Sequence, residues 1–435
     1  MTMIQSRHTD QNTLPTPVAL DQQGLNRFQR TLRIGAMALL FLSALPDAMV
    51  VPVLHQLMVE RYGVSTAAAH AFMCVNLLGA LTIVGFINRL LRRGRTERTI
   101  AIAAGLNALL LALMALPIGF FATLAVRYLE GMVDMIVFAL LFTLIANAGT
   151  PDTKGRRMGA AATSLMLGIA VGLGLGGFAG NIHPTLCLWF GAAACVIVIP
   201  LALVSLRGSS DPTVKAESAS SSEKTSPRGP LWPALIMMFS DRAVVGVLIS
   251  TVPLYFATMA RFDSATIGRL IGISMLMTAL GAWPAGRLAD RIGYMRVRLF
   301  AGLMYALGFA AMATTSLISP MATTLIMIAF GLAGAALFAS SLLVVCQSGR
   351  GPAGMAAYHT AGNLGFLTGP LVAGVTLKLF GDGAPGIGVY VAILGGFAFM
   401  HALSTAITFT GVILYERRQA ITLTDPQGLS SPSAT

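Results

Sequence analysis

Residues 120–146 read FFATLAVRYLEGMVDMIVFALLFTLIA, an apolar run that nevertheless contains three ionisable residues. The hydrocarbon core of a bilayer is crossed by about 20 apolar residues in helical conformation, so this run is long enough to span a membrane. Arg127, Glu130 and Asp134 recur at spacings of three and four, which places them on one face of that helix. Charged groups inside a bilayer are costly and face the interior of a bundle. The run therefore predicts a membrane helix whose polar face packs against other helices.

The composition of the whole chain agrees with this reading. Of 435 residues, 55% are hydrophobic and 11% are charged, and the mean hydropathy is +0.76. Soluble domains are about 25% charged, so this chain would expose large apolar patches in water. The apolar runs are continuous, whereas an outer-membrane barrel would show short alternating segments. The predicted fold class is an all-α polytopic membrane protein.

Twelve transmembrane helices are predicted, arranged as two sets of six. The predicted spans are 33–57, 65–90, 99–119, 121–147, 158–180, 184–206, 232–258, 265–288, 297–317, 320–347, 355–379 and 387–415. The domains are then an N-terminal tail (1–31), a first six-helix bundle (32–206), a linker (207–230), a second six-helix bundle (231–417) and a C-terminal tail (418–435). The linker is rich in Ser, Pro and charge, which predicts a flexible segment. The tail before the first span lacks the apolar core of a cleaved signal peptide.

The distribution of basic residues orients the chain. Arg61, Arg261, Arg269 and Lys378 lie on one side, Arg127 and Arg242 lie within spans, and the rest of the 29 Lys and Arg residues lie in or beside the segments on the other side. Basic residues concentrate on the cytoplasmic side. Both tails and the linker are therefore predicted to be cytoplasmic in a multi-pass protein of the inner membrane. The net charge of +12 is explained in the same way and does not predict nucleic-acid binding.

The two halves repeat one another. DAMVVPVL begins at Asp47 in span 1 and DRAVVGVL begins at Asp241 in span 7, with the acid at the same position. Residues 98–115 parallel residues 296–313, and glycine-rich stretches occur in both span 5 and span 11. Two similar bundles around a central path are typical of alternating-access carriers.

GRLADRIGYMR, residues 286–296, resembles the loop signature of the major facilitator superfamily. The matching residues are Gly286, Asp290, Arg291, Gly293 and Arg296. The resemblance implies the major facilitator fold, and it implies that Asp290 caps a helix of the opposite half, near Arg156 and Arg157. The corresponding loop of the first half, residues 88–98, departs from the pattern, with Asn88 in place of Gly and Arg92 in place of the acid.

Two further stretches resemble motifs of the same family. RYLEG in span 4 resembles an Arg-to-Gly motif in which Glu130 takes the usual place of Gln. GIAVGLGLGG in span 5 resembles the motif of proton-driven exporters, although Leu173 replaces its Pro. Small residues at such spacings also let helices approach closely. The predicted packing residues are Gly168, Gly172, Gly176, Gly177, Gly365, Gly369 and Pro370.

The acids within spans are the candidate functional residues. Of 17 acids, four lie within spans: Asp47, Glu130, Asp134 and Asp241. At 1.5 Å per residue, Asp47 and Asp134 each lie about 20 Å from one end of their spans, so they can share a cavity. A carboxyl group held out of water binds a proton more readily, and a nearby Arg opposes this. We expect these two to bind protons or a cationic substrate, Glu130 to pair with Arg127, and Asp241 either to act with them or to form an internal pair with Arg242.

Other sites and classes are disfavoured. His401 and the four Cys residues are interpreted as core residues, with no disulfide or metal site. GxGxxG at residues 172–177 lies in a membrane helix, without the strand that a nucleotide site needs, and no Walker lysine is present. The chain is not expected to be an enzyme or to need a cofactor beyond a proton gradient.

The first functional hypothesis is proton-coupled antiport, the efflux of a small amphiphilic compound by a monomer in the lipid bilayer. The alternative is an uptake carrier or exchanger of an organic anion that uses Arg127 and Arg242 as ligands. A membrane sensor or scaffold is disfavoured, because the tails and linker are too short to hold a signalling domain.

Overall fold

The computed structural model describes residues 22–91, 96–147, 154–207, 229–315, 317–347, 351–381 and 386–424. Within these residues the chain forms long helices and no strand, and twelve helices are long and apolar enough to cross a membrane. The predicted fold class is therefore confirmed. The helices are α1 (Gln22–Val50), α2 (Thr66–Leu91), α3 (Thr96–Ala115), α4 (Phe120–Asn147), α5 (Lys154–Ile182), α6 (Leu186–Ser205), α7 (Trp232–Thr258), α8 (Ser264–Ile292), α9 (Tyr294–Ala311), α10 (Pro320–Gln347), α11 (Gly351–Phe380) and α12 (Ile387–Thr424).

Two helices extend well beyond the spans that the sequence predicts. α1 begins at Gln22, eleven residues before the predicted start of span 1, and α12 continues to Thr424, nine residues past the predicted end of span 12. The prediction followed hydropathy, but polar residues such as Glu, Gln and Arg are good helix formers. The helical backbone therefore continues where the apolar stretch ends.

The end of α1 is irregular. Pro46 lies within the helix, and the chain continues as a 3₁₀ turn at Val51–Val53 and a π-helical turn at His55–Glu60. Proline removes a backbone donor and disturbs the preceding turn, and short π segments are common at functional sites. The predicted single straight span 33–57 is therefore a helix whose last turns change their hydrogen-bonding pattern.

The two halves have matching internal packing. α1 packs mainly against α5 and α6, and α7 packs mainly against α11 and α12. The halves join through α5 with α8 and through α2 with α11. Among the described residues, α4 and α10 make no extensive contact with the opposite half. α7 also contacts α2 and the turns at Val51–Val53 and His55–Glu60, so α7 and the end of α1 lie at the boundary between the halves.

Side-chain hydrogen bonds join the two halves at the end of the helices opposite the linker, here called the far end. Asn181 donates to Asp263 at 2.6 Å. Ser264 donates to the Gln56 side chain at 2.9 Å, and the His70 and Thr251 side chains lie 2.9 Å apart. These bonds join the start of α8 and the last third of α7 to the first half, so the halves are closed against each other at the far end.

The Asn181–Asp263 bond gives a testable pH effect. Bonds from Thr266 and then Asn181 stabilise the carboxylate and hold the pKa of Asp263 below its usual value. The stabilisation is therefore complete above about pH 4, the unfolded value, and is lost as the pH falls through the folded value. In Asn181→Asp, two carboxylates would face each other at pH 7 and separate the far ends. Protonation of one of them near pH 4 would restore the contact.

The measurement is a pulsed EPR distance between spin labels at Ile182 of α5 and Arg269 of α8, both exposed. We expect Asn181→Asp to lengthen this distance at pH 7 and to shorten it again near pH 4. Asn181→Ala, which removes the bond without adding charge, should show no such pH-dependent change. An unchanged distance at pH 7 in Asn181→Asp would show that this bond does not hold the halves together.

Glycines set the closest helix crossings within each half. A Cβ added at Gly168 or Gly176 of α5 would overlap the carbonyl oxygen of Phe41 or Met49 in α1, and one at Gly172 would lie 2.7 Å from the Leu45 carbonyl oxygen. The second half repeats this arrangement. A Cβ at Gly365 or Gly369 of α11 would overlap the Phe239 or Ala243 carbonyl oxygen of α7, and Pro370 packs against Gly246.

Gly177 has a different neighbour from the rest of its stripe. Its added Cβ would lie 2.5 Å from the carbonyl oxygen of Ser264, at the start of α8 in the opposite half. Gly268 of α8 is equally close to Leu173 of α5. Glycines on both helices therefore permit the α5–α8 contact between the halves.

Two glycines of α5 are expected to differ in how far their replacement by Ala destabilises the protein. Gly176→Ala should destabilise the protein by about 1–3 kcal/mol, because the new methyl group has only the rigid backbone of Met49 to displace. Gly174→Ala is the matched control, since a Cβ at Gly174 meets no atom within 4 Å. The measurement is the melting temperature of both variants in the same detergent. Equal melting temperatures would show that α1 and α5 do not cross at Gly176.

Candidate functional site

Arg127 of α4 is the centre of a buried charge cluster in the first half. Its Nη2 lies 2.7 Å from Asp47 Oδ1 of α1, and its Nη1 donates to Glu130 Oε2 at 2.7 Å. The Arg127 residue is 0% exposed, and its guanidinium stacks over the Phe72 ring at 4.8 Å. A guanidinium out of water is stable only when it is paired and hydrogen-bonded, and this one has a carboxylate on two sides.

Glu130 is held by two helices. Its Oε2 accepts from Arg127 and also from Asn76 Nδ2 of α2, at 2.7 Å. The approach of α2 depends on the next residue, Gly131, because a Cβ there would overlap the Asn76 carbonyl oxygen. The expected pairing of Glu130 with Arg127 is thus present in the structure, together with an amide donor that the sequence analysis did not identify.

Asp134 lies one turn further along the same face of α4. Its carboxyl group lies close enough to that of Asp47 for the two to interact directly, and Asn107 Nδ2 of α3 lies 3.5 Å from its Oδ1. Two carboxyl groups in contact repel strongly when both are ionised and can share one proton. The structure therefore brings together Asp47 and Asp134, as the sequence analysis expected, with three carboxyl groups around one guanidinium.

Access to this cluster is uneven. The Asp47 side chain is 33% exposed, whereas the Arg127 and Glu130 side chains are 1% and 0% exposed. Asp134 is also buried. A proton or cation from water would therefore meet Asp47 first, and the remaining members of the cluster are reached through it.

The second half has a separate ion pair. Arg298 of α9 donates from Nη1 to Asp241 Oδ2 and from Nη2 to Oδ1, both at 2.8 Å. His401 Nε2 of α12 lies 2.9 Å from Asp241 Oδ1. Both carboxylate oxygens are occupied by this bidentate pair and the imidazole. The hydrogen bonds of Asp241 thus go to Arg298 and His401, rather than to its neighbour Arg242.

The prediction for Arg298 is wrong. The count of basic residues assigns it to the loop between spans 8 and 9, but in the structure it is 1% exposed and also donates to the Leu337 carbonyl oxygen. A signal was available, since the predicted span 9 begins at residue 297 and includes it. Arg residues near span ends normally extend towards water, and this one extends inwards because Asp241 lies within reach of its long side chain.

His401 is placed in a packed core. Its ring lies 4.9 Å from the Tyr305 ring, which stacks on Phe330 at 4.1 Å. The residue is 0% exposed. The imidazole therefore contacts Asp241 on one side and aromatic side chains on another, which agrees with its interpretation as a core histidine.

The pseudo-repeat is not symmetric in charge. Gly131 of α4 crosses α2 at Asn76, and Gly331 of α10 crosses α8 at Ser274 in the same way. With these crossings superposed, Met327 and Phe330 of α10 occupy the places of Arg127 and Glu130, and both are buried. The first half therefore has excess carboxylate, and the second half has an acid whose charge is matched.

The loop motif of the second half is only partly described. Gly293 ends α8 with φ 90°, a conformation that favours glycine, and Gly286 has open space around it. Arg291 and Arg296 are exposed. The Asp290 and Arg156 side chains lie outside the described residues, as does Arg92 of the first-half loop. Arg157 donates to the carbonyl oxygens of Ile145 and Ala146 at the end of α4.

The three cysteines whose side chains are described, Cys74, Cys187 and Cys195, are buried, and Cys187 donates to the Pro184 carbonyl oxygen. The Cys346 side chain lies outside the described residues.

The sequence matches the family model described as Major Facilitator Superfamily over residues 36–370. Among curated proteins, it is 23% identical over 340 residues to an uncharacterized MFS-type transporter of Yersinia pestis (strain Pestoides F), covering 75% of this chain and 82% of that protein. It is 26% identical over 298 residues to a multi-drug resistance efflux pump PmrA homolog of Lactococcus lactis, covering 64% of this chain and 69% of that protein.

Solved structures show the same fold. The nucleoside transporter NupG superposes with a TM-score of 0.66 at 18% identity, covering 87% of this chain and 99% of that one. A bacterial homolog of the human lysosomal transporter Spinster, in an inward-facing and unoccupied conformation, superposes with a TM-score of 0.60 at 13% identity, covering 89% of this chain and 95% of that one.

Proposed function

The chain belongs to the major facilitator superfamily, a family of membrane transporters, and we propose that it is a proton-coupled antiporter that exports a small amphiphilic compound. Export would proceed by alternating access across the inner membrane. The observation that carries the proposal is the cluster of Asp47, Glu130 and Asp134 around Arg127, which has more carboxyl groups than one guanidinium can neutralise.

Competition for the same carboxyl groups would couple the two fluxes. A proton shared by Asp47 and Asp134 satisfies the pair when no substrate is bound. A substrate whose cationic group binds at Asp47 would replace that proton, because the cation then neutralises the carboxylate in the proton's place. Proton and substrate would bind in turn, and each would need to leave before the other could enter, which is antiport.

Arg127 would relay this exchange to the fold. When Asp47 is protonated, its ion pair with Arg127 weakens, and α1 is held less tightly to α4. Glu130 and Asn76 would keep Arg127 and α2 in place throughout, because that part of the network is fully buried. The proton would thus change the packing between α1 and α4.

The direction of transport is supported by one relative. The similar Lactococcus lactis protein is described as a homolog of a multi-drug resistance efflux pump. The similarity to NupG and to the Spinster homolog is below 25% identity and supports the fold alone. The distribution of basic residues supports cytoplasmic tails and linker, and the far-end closure would then correspond to a state open to the cytoplasm.

The alternative function, organic-anion uptake, would use Arg127 and Arg242 as ligands, and the position of Arg127 disfavours this role. Arg127 is completely buried and has carboxylates on two sides, so an incoming anion would have to displace Asp47 or Glu130. Arg242 pairs with no carboxylate among the described residues, which supports a role for it in binding an anionic group.

Proton movement in everted membrane vesicles tests the proposal. The vesicles are energised, and a panel of lipophilic cations, zwitterions and organic acids is added while a dye reports the pH gradient. We expect at least one cationic or zwitterionic compound to collapse the gradient in vesicles with the native protein and not in vesicles with equal amounts of Asp134→Asn. Accumulation of a compound without any proton release would contradict antiport.

A further inference from the structure

Arg242 lies on the accessible face of α7. Along this helix, Arg242, Val245 and Ile249 are partly exposed, whereas the residues between them and those from Ser250 to Phe256 are buried. The three partly exposed residues recur at spacings of three and four and form one stripe. Other faces of α7 pack against α11 at Gly246 and against α12 at Ser240, so this stripe lies on a face that α11 and α12 leave uncovered.

The charge of Arg242 is not matched within the described residues, where its side chain has no hydrogen bond and no ion pair. Its neighbour Asp241 is engaged on both oxygens by Arg298 and His401. An unpaired cation in a membrane span is costly, and such residues usually mark the path of a ligand or ion. Both carboxylate oxygens of Asp241 therefore have hydrogen-bond donors, whereas the guanidinium of Arg242 has no acceptor among the described residues.

Gly362 and His359 of α11 are neighbours of Arg242. The Arg242 Cγ passes Gly362 of α11 so closely that an added Cβ there would lie 3.4 Å away. His359, one turn earlier on α11, is exposed and lies within the electrostatic influence of Arg242. Tyr358 and Tyr305 are buried and interact electrostatically with Arg242. Among the described residues, Asp241 is the acid that interacts electrostatically with Tyr305 and Tyr358. Its charge is already neutralised by Arg298.

We propose that Arg242, with His359, forms an anion-binding subsite in the second half, and that the transported compound is zwitterionic. A planar guanidinium binds a carboxylate, sulfonate or phosphate through two parallel hydrogen bonds, and His359 can donate a third. The carboxyl groups of the first half bind the cationic group of the same compound. This inference rests on the proposed function for the cation site only, since the anion subsite is defined by α7 and α11 alone.

Three probes of matched size separate the two charge sites. These are 4-(aminomethyl)benzoate, which carries both charges, benzylamine, which is a cation, and 4-methylbenzoate, which is an anion. Binding to the purified full-length protein is measured by titration calorimetry at pH 7. We expect the zwitterion to bind about tenfold or more tightly than either single-charge probe, as hydrogen bonds to charged groups contribute.

Variants assign each charge to its site. Arg242→Gln should lower zwitterion affinity to that of benzylamine and leave benzylamine unchanged, and Arg242→Lys should give an intermediate loss. Asp47→Asn should lower the affinity for benzylamine and leave 4-methylbenzoate unchanged. Melting temperatures of the variants check that the fold is kept.

The outcomes distinguish this inference from the proposed function. No preference for the zwitterion over benzylamine, no binding of any probe, or an Arg242→Gln variant that retains this preference, would overturn the anion subsite. Binding of 4-methylbenzoate that depends on Arg242, with no binding of benzylamine, would support the anion subsite while rejecting the cation site on which antiport depends.

Discussion

Asp134→Asn is expected to reduce proton-driven transport by about 100-fold or more, the loss typical of removing a proton-transferring group. Asn has nearly the same shape as Asp and can still donate to the Asp47 carboxylate, so the contact between α1 and α4 is kept. The amide cannot take up or release a proton, however, and the shared proton of the carboxyl pair is lost. The fold should therefore persist while coupling fails.

Two assays in vesicles check this prediction. Substrate-induced proton release should disappear in Asp134→Asn, while exchange of labelled for unlabelled substrate without a gradient should continue in part. Asp134→Glu restores a titratable group and should recover some coupling. Glu60→Gln is a control, because this acid is exposed, pairs with His55 and lies outside the cluster. Normal proton release in Asp134→Asn would remove Asp134 from the coupling mechanism.

Breaking the Asp241–Arg298 pair is expected to lower the stability of the protein more than it affects proton coupling. Arg298→Met or Asp241→Leu leaves one buried charge without its partner, which costs about 3–5 kcal/mol. Replacing both residues removes both charges, so the double variant Asp241→Leu with Arg298→Met should be more stable than either single variant. The pair holds α7 to α9, and its bidentate geometry should make Arg298→Lys a poor substitute.

A thiol-reactive dye measures this effect during heating. Cys74, Cys187 and Cys195 are buried, so the dye reacts with them as the protein unfolds. We expect each single variant to melt at a lower temperature than the native protein, and the double variant to recover part of the difference. Proton coupling should persist in whatever fraction of the double variant folds. A double variant that is stable but uncoupled would instead assign Asp241 to the coupling mechanism.

The two acids at the same repeat position illustrate how much of the site the sequence could predict. Asp47 and Asp241 were identified because each is an acid within an apolar span, and Arg127 and Glu130 were paired because they lie three residues apart on one helix. Their partners on other helices were not all found. Asn76 and Asn107 carry no charge that would mark them as partners of the acids, and Arg298 lies near the end of its span, where basic residues usually belong to the loop.

The order of residues along the chain is enough to predict the twelve helices, the duplication of the six-helix unit and the face of each helix on which glycines and charges lie. A backbone in lipid must satisfy its own hydrogen bonds, so apolar runs of sufficient length become helices and residues three or four apart share a face. Which faces meet is a property of the folded bundle. Whether Asp241 pairs with Arg242 or with Arg298, and whether Asp134 reaches Asp47, depends on how closely glycines let the helices cross. Those crossings are set by the packing of the whole bundle, and the sequence of a single helix does not contain them.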